Sequence, residues 1–254
     1  MPYFAMEFVE GLPVHTYCEE NQLSVPQRLE LFLAICDAVD YAHQHLVVHR
    51  DIKPANILVS NKGIPKLLDF GIAKLMDTGA APGAGLTQTI FAPVTPDYCT
   101  PEQVVGERIT TRTDVYLLGL LLFEMLCGDR AQKADTSSAL ALERSIRASE
   151  IPLASASGKA QREPALARAL RGDLDTIVAT ATRKEPERRF PGVAAMADEI
   201  RLHLQGRPIT SRPESRWYRA TKFVRRSVLP SAAAAGFLPA LLGGGVPPLY
   251  PARR

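Results

Sequence analysis

His49-Arg50-Asp51-Ile52-Lys53-Pro54-Ala55-Asn56, with Asp69-Phe70-Gly71 beginning thirteen residues after Asn56, is the stretch that organises this chain. Short apolar runs flank it: Val47-Val48 before, then Ile57-Leu58-Val59 and Lys66-Leu67-Leu68, with Asn61-Lys62-Gly63 between the last two as a turn. The pattern predicts a small sheet whose loop ends display two acids, a lysine and an amide, the kind of position where reactive side chains are usually held. Gly71 allows the chain to turn sharply after Asp69.

Taken together, the two stretches resemble the catalytic loop and the metal-binding loop of a protein kinase, in the family's order. Either tripeptide can arise by chance, but both in one order with the rest of the chain in register is a specific signal. The resemblance implies an α+β, protein-kinase-like fold, mainly the helical C-lobe with short catalytic-loop strands. It also implies transfer of the γ-phosphoryl group of ATP to Ser or Thr hydroxyls of protein substrates. Lys53 with Pro54 after it is similar to the serine/threonine branch, and the layout as a whole resembles the bacterial type.

A hydroxyl is a poor nucleophile whose proton must be taken or oriented as the bond to phosphorus forms, and the resemblance gives that role to Asp51. Lys53 would stand beside the transferred phosphate, where charge develops in the transition state. Asn56 and Asp69 carry the hard oxygens that Mg²⁺ prefers and would be its ligands. By the same resemblance ATP would lie against Met6, Glu7, Val9 and Leu58, with Met6 at the back of the pocket and Glu7 and Val9 at the adenine edge. His49 and Phe70 would stack in the core, and Asp114 would accept hydrogen bonds from the catalytic-loop backbone. Arg50 would receive a phosphate carried on Thr87 or Thr89, which can equally be ordinary polar loop residues. Glu102 and Arg189 resemble the family's buried ion pair, and Arg183 to Phe190 its late Asp-Pro-x-x-Arg motif with Glu185 in place of Asp.

Along the rest of the chain, Ser24 as N-cap, Pro26 in the first turn and Leu29, Phe32, Leu33, Cys36 and Val39 on one face predict a helix. Asp114 to Cys127 is apolar almost all round, which predicts a buried central helix closed by Gly128. Leu174 to Thr182 predicts another. Ala131 to Arg171 is polar and alanine-rich and gives no clear element, while 74–94 reads as a mobile loop. Tyr3 to Val9 reads as a strand entering a linker at Glu10-Gly11.

The expected organisation is therefore a last N-lobe strand and hinge at 1–10, a C-lobe at 11–206, a basic juxtamembrane-like linker at 207–227 and an apolar tail at 228–254. Nothing before His49 supplies a glycine-rich phosphate loop or its strand lysine, so the chain is expected to lack most of the N-lobe and to be inactive alone. Two alternatives stay open, a catalytically dead kinase-like binding module and an unrelated phosphate-binding or structural protein.

Composition sets the outer limits. With 254 residues and 46% hydrophobic content the chain can bury one sizeable core. Thirty basic and 27 acidic residues leave a net charge of only +3, which argues against a nucleic-acid partner. The basic excess is local, at Arg207, Arg212, Arg216, Arg219, Lys222, Arg225 and Arg226. Cys18, Cys36, Cys99 and Cys127 show no C-x-x-C spacing and read as reduced, packed thiols of a cytoplasmic domain. Met1-Pro2-Tyr3-Phe4 has no basic n-region, so no secretory signal is expected. Between Arg226 and Arg253 the sequence is uncharged but broken by Pro230, Pro239, Pro247, Pro248 and Gly243 to Gly245. It reads either as a membrane span, with the basic linker on the cytoplasmic side, or as an apolar tail.

Overall fold

The computed structural model describes residues 8–68 and 95–212. Its axis is the helix Thr111–Cys127, here α4, buried at nearly every position from Thr113 to Cys127. Thr110 caps its start by accepting from the Arg112 N–H, and Gly128 ends it in the left-handed region, φ 71°, with its N–H on the Glu124 carbonyl at 2.8 Å. A helix apolar on every side needs neighbours on every side, and it has them.

Before it in the chain come α1 (Val14–Glu20), α2 (Val25–Gln44) and α3 (Pro101–Val104). In α2, Gln27 Oε1 accepts from the N–H and hydroxyl of Ser24, which fixes the helix start. Its buried face holds Leu29, Phe32, Cys36 and Val39 and widens to Leu31 and Ile35, because α2 is packed by both α4 and the last helix. After α4 follow α5 (Ala139–Ala148), α6 (Gly158–Arg162), α7 (Pro164–Leu170), α8 (Asp173–Ala181) and α9 (Val193–Leu204). The stretch that the sequence leaves unassigned thus holds three short helices.

α4 and α8 cross at Gly119. A Cβ there would fall 2.7 Å from Thr182 Cγ2 and 2.8 Å from Ala181 Cβ, so only a residue without a side chain lets the two backbones meet.

Among the described residues three short strands form an antiparallel sheet in the order β1-β2-β3: Leu12–Pro13, Ile57–Val59 and Pro65–Leu67. Leu12 pairs with Val59 and Ile57 with Leu67, and the β2–β3 turn passes through Gly63 at φ 76°. The strand expected at 3–9 is described only from Phe8 onward, and Phe8 to Gly11 is not strand; pairing starts at Leu12. Gly11 explains the entry point, since a Cβ there would sit 2.6 Å from the Val59 carbonyl oxygen. Val47-Val48 is not a strand either. The chain leaves α2 through Leu46 in the left-handed region, φ 62°, and two residues are too few to re-establish a pairing before the next loop.

Past α9 the chain folds back. It turns at Gly206, φ 66°, buries Ile209 to 4% exposure, and lays Thr210 and Ser211 on Glu199. Glu199 accepts four hydrogen bonds, from both N–H groups and both hydroxyls of that pair, at 2.5 to 2.9 Å. Asp173 at the start of α8 meets His203 Nδ1 at 3.1 Å and Arg212 Nη1 at 3.4 Å. Among the described residues no helix is long and apolar enough to cross a membrane; the uncharged stretch after Arg226 lies outside them.

Candidate active site

The site begins with a buried carboxylate. Asp114, in the first turn of α4 and inaccessible to solvent, accepts from the His49 N–H through Oδ2 and the Arg50 N–H through Oδ1, both at 2.8 Å. His43, near the end of α2, places Nε2 2.7 Å from Asp114 Oδ2. A carboxylate with this many partners can stay buried, and it fixes the peptide that carries Asp51. Arg50 itself sits at φ 68°, a conformation costly for a residue with a Cβ, and the Asp114 bond is one of the contacts that hold it there.

From that anchor Asp51, Lys53 and Asn56 converge. Lys53 Nζ lies 3.0 Å from Asp51 Oδ2, and the Asn56 amide donates to the same oxygen and to the Asp51 backbone carbonyl, both at 2.8 Å. Pro54–Asn56 forms a single 3₁₀ turn that brings Asn56 back over Asp51, with the Asn56 N–H on the Lys53 carbonyl at 3.0 Å. Because both partners of the Asn56 amide are acceptors, its nitrogen must face Asp51 and its Oδ1 must face away. A carbonyl-type oxygen held in that orientation is a suitable ligand for a hard cation.

Leu68 carries the chain toward the second motif. Its N–H donates to the Asn56 carbonyl at 2.8 Å and its carbonyl lies 3.1 Å from His49 Nε2. Burial lowers the His49 pKa, although the charges of Asp114 and Asp51 act the other way; the neutral ring keeps an N–H to give to Leu68. Two turns of chain are thereby tied together immediately before Asp69. Asp69, Phe70 and Gly71 lie outside the described residues, as do Met6, Glu7, Thr87 and Thr89. Val9 and Leu58 are half-buried, Leu58 in β2 and Val9 ahead of β1.

Below this loop the segment after Thr95 is seated on the helical body. Gln132 Nε2 donates to the Cys99 carbonyl at 3.0 Å, Gln132 Oε1 accepts from the Tyr116 hydroxyl at 2.8 Å, and Asp97 takes the Ala134 N–H at 2.9 Å and pairs with Arg130. Glu102 and Arg189 form the buried ion pair.

Two residues that the sequence reading leaves out belong to the site. His43 offers no signal beyond lying on the helix before the motif. Gln103 donates from Nε2 to the Arg50 carbonyl at 2.9 Å, and it does carry a signal: Thr100-Pro101-Glu102-Gln103 has the S/T-x-x-E/Q form of a capping box.

The comparisons agree with this geometry. The model of the protein kinase domain matches residues 2–200. A serine/threonine-protein kinase, PknB, of Mycolicibacterium smegmatis is 36% identical over 206 residues, covering 80% of this chain and 31% of that protein. PknB of Mycobacterium tuberculosis is 35% identical over 235 residues, 92% of this chain and 34% of that protein. A probable serine/threonine-protein kinase of Streptomyces coelicolor is 33% identical over 210 residues, 82% of this chain and 29% of that protein. The chain therefore spans no more than 34% of the length of these curated relatives. With its Asp51, Lys53 and Asn56 gathered on a loop hung from Asp114, and with the family model matching most of its length, the chain belongs to the protein kinase family, alongside the bacterial serine/threonine kinases.

Proposed function

We propose that the protein carrying this chain transfers the terminal phosphoryl group of ATP to Ser or Thr hydroxyls of protein substrates, with Asp51 as the group that accepts or orients the hydroxyl proton. The observation that carries the reading is the placement of Asp51: its carboxylate is held by Lys53 and Asn56 at 3.0 and 2.8 Å, on a backbone fixed by Asp114. Phosphoryl transfer asks little covalent chemistry of a protein and much positioning, and rigid placement of one base is what this loop provides.

Asn56 Oδ1 and Asp69 would hold Mg²⁺, which neutralises charge on the phosphates when bound. Lys53, 3.0 Å from Asp51, keeps a cation beside the base, where it would meet the phosphoryl oxygens of a bound nucleotide. Val9 and Leu58, with Met6 and Glu7, would line the nucleotide. The basic segment 207–227 and the apolar stretch 228–254 support attachment to a membrane on its cytoplasmic side, a reading drawn from sequence.

Because this chain is expected to be inactive alone, the test is made on the longer protein that carries it: transfer from labelled ATP, with Mg²⁺, to a basic test protein, comparing the parent with Asp51→Asn and Asn56→Ala. Loss of transfer in Asp51→Asn with retained fold supports the assignment. Transfer at the parent rate in Asp51→Asn would overturn it. A catalytically dead binding module, the alternative, would show no transfer above background in the parent while still binding Mg²⁺-ATP or a protein partner.

A further inference from the structure

Arg50 is a left-handed residue with an ordinary side chain, φ 68°, immediately before Asp51. Its peptide groups are gripped from two directions. The N–H is taken by Asp114 Oδ1 at 2.8 Å, from the helical core, and the C=O is taken by Gln103 Nε2 at 2.9 Å, from α3. The carbonyl of Arg50 and the nitrogen of Asp51 belong to one peptide plane, so Gln103 acts on the plane that aims the Asp51 side chain.

The orientation of the Gln103 amide follows from its partners. Its Oε1 accepts from the Thr100 N–H at 3.0 Å, which only an oxygen can do, so its nitrogen must face the Arg50 carbonyl, which only a donor can satisfy. Thr100 returns the interaction by accepting the Gln103 N–H on Oγ1 at 3.3 Å. One side chain thus caps α3 and holds the catalytic-loop peptide at the same time. Thr100 is inaccessible to solvent, and the residues just before it are seated on the Arg130 to Ala134 stretch through Gln132 and Asp97.

We infer that Gln103 is a positioning residue for phosphoryl transfer, coupling the seating of residues 95–104 to the left-handed Arg50 peptide and so to the aim of Asp51. The inference rests on the reading of Asp51 as the proton-accepting group. Its consequence is directional: when 95–104 is seated, Gln103 is delivered to Arg50, and when it lifts, the strained peptide loses the grip on its carbonyl. The Asp114 bond acts on the N–H side and does not replace it.

Gln103→Glu separates the two duties. A carboxylate still accepts the Thr100 N–H, as in the commoner form of the capping box, but has no hydrogen to give and sets negative charge against the Arg50 carbonyl. Gln103→Met removes both interactions at similar volume. Two readouts apply: the ¹³C′ resonance of Arg50 in the labelled protein, which moves upfield when its carbonyl loses a donor, and, in the longer protein that carries this chain, kcat against KM for ATP. The expected result is an upfield shift in both variants, with kcat lowered roughly tenfold and KM for ATP unchanged, as for a base that is misaligned rather than lost.

An unmoved Arg50 resonance in Gln103→Glu, or the parent kcat in Gln103→Glu with a loss only in Gln103→Met, would overturn the inference and leave Gln103 as a cap. Asp51→Asn is measured in parallel. Transfer that survives in Asp51→Asn defeats the assignment of Asp51 and with it the coupling to catalysis, whereas the Arg50 resonance reports the Gln103 grip independently of any activity.

Discussion

Arg189 meets Glu102 as a two-pronged pair, Nη1 to Oε1 at 2.7 Å and Nη2 to Oε2 at 2.8 Å, with the two side chains 0% and 2% exposed. The remaining N–H groups of the guanidinium are also used, on the carbonyls of Arg183, Lys184 and Arg112 at 2.7 to 3.0 Å. Its face lies 4.7 Å from the centroid of the Tyr116 ring. A guanidinium has five N–H groups, and every one here has an acceptor.

Removing either partner orphans a buried charge. Glu102→Ala or Arg189→Ala should therefore lower stability by about 3 kcal/mol, several times the worth of a surface pair. Urea unfolding midpoints read the loss, and midpoints equal to the parent's would show that the pair contributes nothing net. Arg189→Lys should behave almost as badly, because an ammonium cannot fill a planar, five-donor site.

The same pair sets an acid limit. Burial pushes the Glu102 carboxyl up, but the hydrogen bonds and charge of Arg189 outweigh it and hold the pKa below the ordinary 4.5. A carboxylate with a lowered folded pKa contributes stability that is complete above its unfolded value and lost as pH falls toward the folded one. The stability advantage of the parent over Glu102→Gln should be constant above about pH 4.5 and shrink below it. An advantage that instead shrinks between pH 8 and 5 would place the titration on another group.

Lys184 gives the opposite slope. Burial and the charge of Arg189 pull its pKa from 10.5 down to about 8 against the weaker attraction of Glu150, while Nζ stays 2.6 Å from the Ile146 carbonyl and 3.2 Å from the Tyr116 hydroxyl. Between those values the unfolded chain binds the proton and the folded one does not, so stability rises with pH across that window. The parent should gain on Lys184→Met from pH 8 to 10.5, with much of the effect muted by solvent around this half-exposed amine. A flat difference across the window would refute the lowered value.

Gly119→Ala tests the helix crossing. The added methyl must displace Ala181 or Thr182, both buried, at a cost of roughly 1–3 kcal/mol. A melting temperature at or above that of the parent would show that α4 and α8 can part without penalty. Substituting Thr182→Ser alongside it removes the nearest methyl and should restore part of the loss.

Which features can be read from the sequence follows from how local their causes are. Asp114 to Gly128 is legible because its nearly continuous apolar run and its terminal glycine lie within the segment, whereas the first turn from Thr111 and the Thr110 cap, which carry no apolar signal, are missed. Asp51, Lys53 and Asn56 stand out because their spacing is compact and their side chains define the chemistry. The three helices between Ala139 and Leu170 are not legible: each is 10 residues or fewer, and what stabilises them is docking, as with Ile146 against Cys99 and Val104. β1 escapes notice because two residues carry no alternation; Leu12–Pro13 is a strand only because Val59 and Leu58 lie beside it. Gln103 is visible as a cap, but its second bond spans 53 residues of chain, a distance no local pattern encodes.

The C-terminal region yields a cellular prediction. Residues 207–254, fused behind a soluble reporter, should carry it to the membrane fraction, on the strength of the basic cluster followed by an uncharged stretch. Retention after alkaline carbonate washing would mark an inserted helix. Full release into the wash would leave only surface attachment, and recovery in the soluble fraction at physiological salt would exclude both.

The return of the chain onto Glu199 and Asp173 has a mechanical meaning. Any pull on the sequence following Arg212 is met first by the salt bridge to Asp173 and the four hydrogen bonds to Glu199, not by the end of α9. The carboxylates that take these bonds are rooted in α8 and α9, the helices packed directly on α4 and α2. Movement of whatever the downstream residues are fastened to would be delivered to the helical body, leaving the end of α9 unstrained.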